Sequence, residues 1–155
     1  MNDVWSVVVV QLDQQLYALK LEAVARVLPA IWITPLPGSP EVIMGITNIR
    51  GQVIPVLDMR RRCGLPARDL LPSDQLVMVH AASRDWLLPV DAVTGTAVYP
   101  CSQVVVSPEL TRGECALSGV IVLSDGLMLI HDLETFLDAD DLLVLDHALD
   151  TLYET

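Results

Sequence analysis

Apolar residues in this chain come in short β-branched bursts, none longer than Val7-Val8-Val9-Val10, where Gln11 breaks the run. A membrane-spanning helix needs roughly 20 consecutive apolar residues, so no such span is expected. Strand-sized bursts of about four to eight residues, closed by Gly, Pro, Asn, Asp or Ser, predict a mainly β chain instead. The N-terminus lacks the basic-then-apolar layout of a secretion signal, which places the expected protein in the cytoplasm.

Val4–Gln11 and Leu16–Lys20 read as a hairpin turning at Asp13-Gln14-Gln15. Glu22–Leu28 puts Val24, Val27 and Leu28 on one helical face, and Pro29 would end that helix. Three prolines in Pro35–Pro40 leave room only for a linker or tight loop. Val42–Ile49 and Gln52–Asp58 follow as strands hinged at Arg50-Gly51, with Pro55 pointing to an edge or a bulge. Met59–Cys63 fits one helical turn, and polar Pro66–Asp74 is the best boundary between two halves. Gln75–Ala82 and Trp86–Val90 should pair across Ser83-Arg84-Asp85, with Val93–Tyr99 as a third strand and a loop around Pro108–Glu114. Leu117–Leu123 and Leu127–His131 flank Ser124-Asp125-Gly126, a type I′ hairpin signal. Leu142, Leu145, Leu149 and Leu152 form the apolar stripe of a C-terminal helix near Ala139–Tyr153, with Asp138, Asp140 and Asp141 at its start.

Gly45-Ile46, Gly51 and Val53–Asp58 are echoed by Gly119-Val120, Gly126 and Met128–Asp132. Each reads as a small residue opening a strand, a glycine turn, an apolar strand and a terminal aspartate. Two such β-units in one domain of 155 residues suit two small barrels of approximate two-fold symmetry, near 1–70 and 71–135, with the helix at 138–153. Closure into barrels would also remove exposed strand edges.

The net charge of −11 is unevenly placed. Residues 1–112 carry nine basic and ten acidic side chains, whereas 113–155 carry ten acidic and no Lys or Arg. That segment repels phosphate and anionic lipid, so nucleic acid and membrane surfaces are not expected partners. Cys63, Cys101 and Cys115 form no CxxC pair and read as small core residues, not as a disulfide or zinc framework. No phosphate loop, dinucleotide fingerprint, HExxH or GxSxG is present, and no catalytic residue, cofactor or metal ligand is assigned. Asp58 and Asp132 could be imagined as a carboxylate pair, but strand-ending aspartates more commonly cap turns or following helices.

Asn48-Ile49-Arg50-Gly51 stands out. Glycine permits the turn, asparagine can brace it through its own side-chain amide, and the arginine is projected from it. A guanidinium so displayed can bridge carboxylates or carbonyls of another protein, although a plain solvated hairpin arginine would read the same way.

From roughly Val4 to Leu149 the chain resembles the CheW family of chemotaxis coupling proteins. The resemblance is carried by Leu16–Leu19, Leu21–Leu28, Ile33–Pro37 and above all Val42–Gly51 continuing into Val53–Arg60. Leu88-Pro89-Val90-Asp91-Ala92-Val93 and the run Leu117–Phe136 support it in the second half. The resemblance implies two intertwined five-stranded SH3-like barrels. It further implies a non-catalytic adaptor for a chemoreceptor cytoplasmic tip and the regulatory domain of a CheA-type histidine kinase. The receptor would lie in a groove between the barrels, lined or flanked by Val24, Arg26, Asn48, Arg50 and Ile54. Arg26 departs from the family, whose members typically carry an acidic residue there. Arg60, Arg61, Arg62 and Arg68 are expected to form a solvated face or to pair with the acidic C-terminal third. The same module could serve a pilus-motility or second-messenger pathway. A reading from another class is a small β-barrel enzyme or ligand-binding module, which would show a concave polar pocket of convergent acids or histidines.

Overall fold

The computed structural model describes residues 3–106, 117–135 and 139–153. The Val7–Val10 burst lies in β1 (Val4–Leu12), which forms a hairpin with β2 (Gln15–Lys20). A 3₁₀ turn at Leu21–Ala23 leads to β3 (Val24–Pro29); β4 (Ile43–Ile49), β5 (Gln52–Leu57) and the single-turn α1 (Met59–Arg62) follow. The second half runs through β6 (Gln75–Ala81), β7 (Arg84–Val90), β8 (Ala92–Pro100), β9 (Val104–Val105), β10 (Leu117–Leu123) and β11 (Gly126–His131) to α2 (Ala139–Tyr153).

These strands build two SH3-like sheets, ordered β8-β1-β2-β11-β10-β9 and β3-β6-β7-β5-β4. The orders superimpose as β1 and β2 on β6 and β7, and β10 and β11 on β4 and β5. In each sheet one parallel contact joins the hairpins, β11 to β2 at Leu129–Tyr17 and Ile130–Ala18, and β5 to β7 at Val56–Leu87. The register slips at the same place in both, between Ile43 and Gly45 and between Leu117 and Gly119. The echoed glycines mark close approaches of a third segment. A Cβ on Gly45 would stand 2.3 Å from the Thr34 carbonyl oxygen, and one on Gly119 3.0 Å from that of Val105.

Residue 70 therefore separates two repeats but not the two barrels. Each repeat lends its first hairpin to the other's sheet: β1 and β2 join β8–β11, while β6 and β7 join β3–β5. This exchange is the intertwining the family resemblance implies.

It also explains the unbroken apolar bursts. Along β1, Val7 and Val9 point into the first barrel with Ile121, Met128 and Ile130. Val8, Val10 and Leu12 point the other way, into a central core between the sheets. Along β6, Leu76 and Met78 fill the second barrel with Ile54, Val56 and Leu87, and Val77, Val79 and Ala81 face the central core. A strand buried on both faces loses the usual polar alternation. Leu145 and Ala148 of α2 are buried in the central core, with Leu142 and Leu149 packed against it.

Several expectations are corrected. Glu22–Leu28 is not a helix: apart from the 3₁₀ turn it is the edge strand β3, bulged between Val24 and Arg26 where it pairs with β6. Pro55 lies in an inner strand, tolerated where β5 meets β7 only at Val56–Leu87, and the bulge of its hairpin falls on β4. The β10–β11 loop is Ser124-Asp125, since Leu123 pairs with Gly126, and neither loop residue has a positive φ, so the turn is not type I′. The β6–β7 turn is Ala82-Ser83, because Arg84 and Asp85 already belong to β7. On α2, Leu152 is 40% exposed and Ala148 takes the place expected of it. Cys101 is exposed on the 3₁₀ turn Cys101–Gln103, and Cys63 is half-buried against the central core. The loop around Pro108–Glu114, Cys115 and Asp138 lie outside the described residues.

Candidate functional site

At the β4–β5 connection, Ile49 pairs with Gln52 and leaves Arg50-Gly51 as a two-residue loop. Both φ values are positive, 53° at Arg50 and 84° at Gly51, which is the type I′ turn that matches strand twist. The Gly51 N–H donates to Asn48 Oδ1 at 2.8 Å, so asparagine braces the turn as its side chain allows. Arg50 is exposed at the apex. The side chains of Arg50 and Arg26 make no hydrogen bond or ion pair with a described residue.

Val24 and Arg26 are half-buried on β3, the opposite edge of the same sheet. Ile54 is 1% exposed and packs inside the second barrel, so its side chain cannot touch a partner and the expected contact is corrected. Its place in an apolar strand gave no sign of which face it took, because both faces of β5 are buried.

Three adjoining depressions run across the surface, and the middle one lies at the seam between the sheets. The first lies between Trp5 and Leu21, the second between Lys20, His80 and Glu134, and the third between Gln52, Arg84 and Leu149. Val24, Arg26, Asn48 and Arg50 line none of them. The second, about 410 Å³, gathers Glu22, His80, His131, Asp132 and Glu134, the convergent acids and histidines an enzymatic alternative would show. Three of these groups are held by neighbours. Asp132 accepts from the Glu134 N–H at 3.0 Å and caps the 3₁₀ turn, Glu134 accepts from the Ala82 N–H at 3.0 Å, and His80 meets Asp85 at 2.9 Å. Asp58 likewise caps α1, accepting from the Arg61 N–H at 3.0 Å. His131 is buried beside Tyr17, ring centroids 6.5 Å apart.

Among the described residues, Arg60, Arg61 and Arg68 pair with acids that lie outside the C-terminal third. Arg60, only 8% exposed, bonds Asp13 at 2.8 Å and Asp91 at 2.7 Å. Arg68 holds Asp74 in a two-pronged pair at 2.7 and 2.8 Å and also reaches Asp91. Arg61 pairs with Glu41, and it is Arg84 that meets an acid of α2, Asp146. At Asp91 desolvation pushes the carboxyl up, but the Arg60 hydrogen bond, the Asp13 N–H and both guanidinium charges outweigh it and hold it below the usual carboxylate range. The Arg68 hydrogen bond does the same for Asp74, against desolvation. This network escaped sequence reasoning because its members are far apart in the chain.

Residues 6–141 match the family model described as CheW-like domain. The chain belongs to this family. Among its relatives, the chemotaxis protein CheW of Klebsiella aerogenes is 22% identical to this CheW-like chain over 118 residues, 75% of this chain and 71% of the relative. Protein FrzA of Myxococcus xanthus is 34% identical over 87 residues, 56% of this chain and 54% of the relative. The crystal structure of scaffolding protein TtCheW from Thermoanaerobacter tengcongensis aligns with a TM-score of 0.80 at 27% identity, covering 91% of this chain and 96% of that one.

Proposed function

We propose that this CheW-like chain is a non-catalytic adaptor that couples chemoreceptor cytoplasmic tips to a CheA-type histidine kinase. Family membership and the likeness to a scaffolding protein support the adaptor role. The observation that carries the docking reading is Arg50, raised on a braced I′ turn and unpaired among the described residues. A guanidinium held free in this way is available for carboxylates of an incoming protein. Val24, Arg26 and Asn48 complete the receptor-facing set, with Ile54 supporting from beneath. Asp132, Glu134 and His80 of the second depression serve the fold, which counts against an enzyme or small-ligand module. The adaptor works in the cytoplasm, and no helix of the described residues is long and apolar enough to cross a membrane.

The test is capture on a receptor cytoplasmic fragment and on the kinase regulatory domain. Retention of both at tens of micromolar is expected; loss of both would end the adaptor reading. Arg50→Glu should weaken receptor retention and leave the thermal melt nearly unchanged, whereas a large drop in melting temperature would make Arg50 structural.

A further inference from the structure

Trp32 is 83% exposed, the most exposed of the large apolar side chains described, while Trp86 is 2% exposed and Trp5 half-buried beneath Lys20. Its neighbours do the opposite: Ile31 and Ile33 pack against the interior of the second barrel. The chain therefore alternates inward, outward, inward and holds the indole out by anchoring both sides. Pro29 before it and Pro35, Pro37 and Pro40 after it stiffen the segment. Thr34 and Ile46 exchange both backbone hydrogen bonds at 2.8 Å in an antiparallel bridge. That antiparallel sense carries the chain from Thr34 back through Ile33 and Trp32 toward the Asn48–Gly51 end of β4. The indole thus belongs to the same end of the sheet as Arg50, on the segment that joins β3 to β4.

We infer that Trp32 is the aromatic anchor of the receptor-docking face, and that its occupant is an acidic amphipathic helix of the receptor tip. This rests on the adaptor reading above. Charge selects the occupant: in a chain of net charge −11, the Arg50 guanidinium at that same end of the sheet bonds no described residue. A partner with carboxylates beside an apolar spot satisfies Arg50 and covers the indole. Trp and Arg are the side chains that most often dominate such contacts, Trp because burying it removes some 150–250 Å² from water at little conformational cost.

The test is titration of the full chain with a soluble chemoreceptor cytoplasmic fragment containing the hairpin tip, read by tryptophan emission and acrylamide quenching. Binding should shift the emission to the blue and shield an indole from quencher, and Trp32→Phe should abolish that change. Trp32→Ala should weaken affinity about tenfold or more, with an unchanged thermal melt because the side chain is 83% exposed. Unchanged affinity in Trp32→Ala, beside a loss in Arg50→Glu, would overturn the anchor and leave the adaptor reading standing. No binding by the wild-type chain would overturn both. A blue shift on concentrating the chain alone would assign Trp32 to a second copy and overturn the receptor as occupant.

Discussion

At Arg50 the backbone enters the left-handed region that non-glycine residues avoid at a cost of roughly 1–2 kcal/mol. A turn selected only for stability would carry asparagine there, followed by the glycine already present. Arg50→Asn is therefore expected to raise stability by about 0.5–1 kcal/mol in urea denaturation while weakening receptor capture. Opposite movement of the two readouts would mark the arginine as kept for contact. Gly45 tolerates nothing larger. Gly45→Ala would drive a methyl group into the Thr34 carbonyl, and a loss of about 2 kcal/mol or more is expected, measured by the same denaturation. The Asn48 brace was legible in the sequence because its hydrogen bond closes over three residues. The burial of Ile54 was not, since β5 is apolar on either side.

Among the elements, the β6–β7 hairpin turns on Ala82-Ser83, with φ values of 50° and 65° and neither glycine nor asparagine to ease them. The double substitution Ala82→Asn, Ser83→Gly should stabilise the chain by about 1 kcal/mol or more, seen as a higher melting temperature. The Ala82 N–H that Glu134 accepts from is kept by asparagine, so the contact with the Leu133–Thr135 turn survives. The bounds of α2 agree with those expected, since a stripe at spacings of three and four over four turns has no strand alternative. Val24–Leu28 had one. Its apolar residues satisfy a short helical face and a bulged edge strand alike, and pairing with β6, fifty residues away in sequence, decides between them. The β10–β11 hairpin was readable from its turn residues, but the turn type was not, because Gly126 is spent on the strand.

For the molecule as a whole, Asp91 sits where the chain passes from β7 of one sheet to β8 of the other, and Asp13 turns the exchanged β1–β2 hairpin. Arg60 and Arg68 tie both acids to the segment linking the repeats. Asp91→Asn leaves a buried arginine short of its counter-charge and should cost about 2–4 kcal/mol. Because the folded Asp74 and Asp91 carboxyls lie below their unfolded values near 3.8, their contribution is complete above that pH and is lost as pH falls through the folded values. Acid titration of the melt should therefore show stability falling below about pH 4, less steeply in Asp91→Asn.

The traded hairpins also bear on how the polypeptide reaches this form. Strands β1 and β2 leave the ribosome before the rest of this domain, yet their sheet partners β8 and β11 are made about 80 to 110 residues later. Until then a valine-rich ribbon waits with both faces wet. Such distant pairing slows acquisition of the native state and lengthens exposure to neighbouring nascent chains, so yield in the cell should depend on holding that ribbon apart during synthesis.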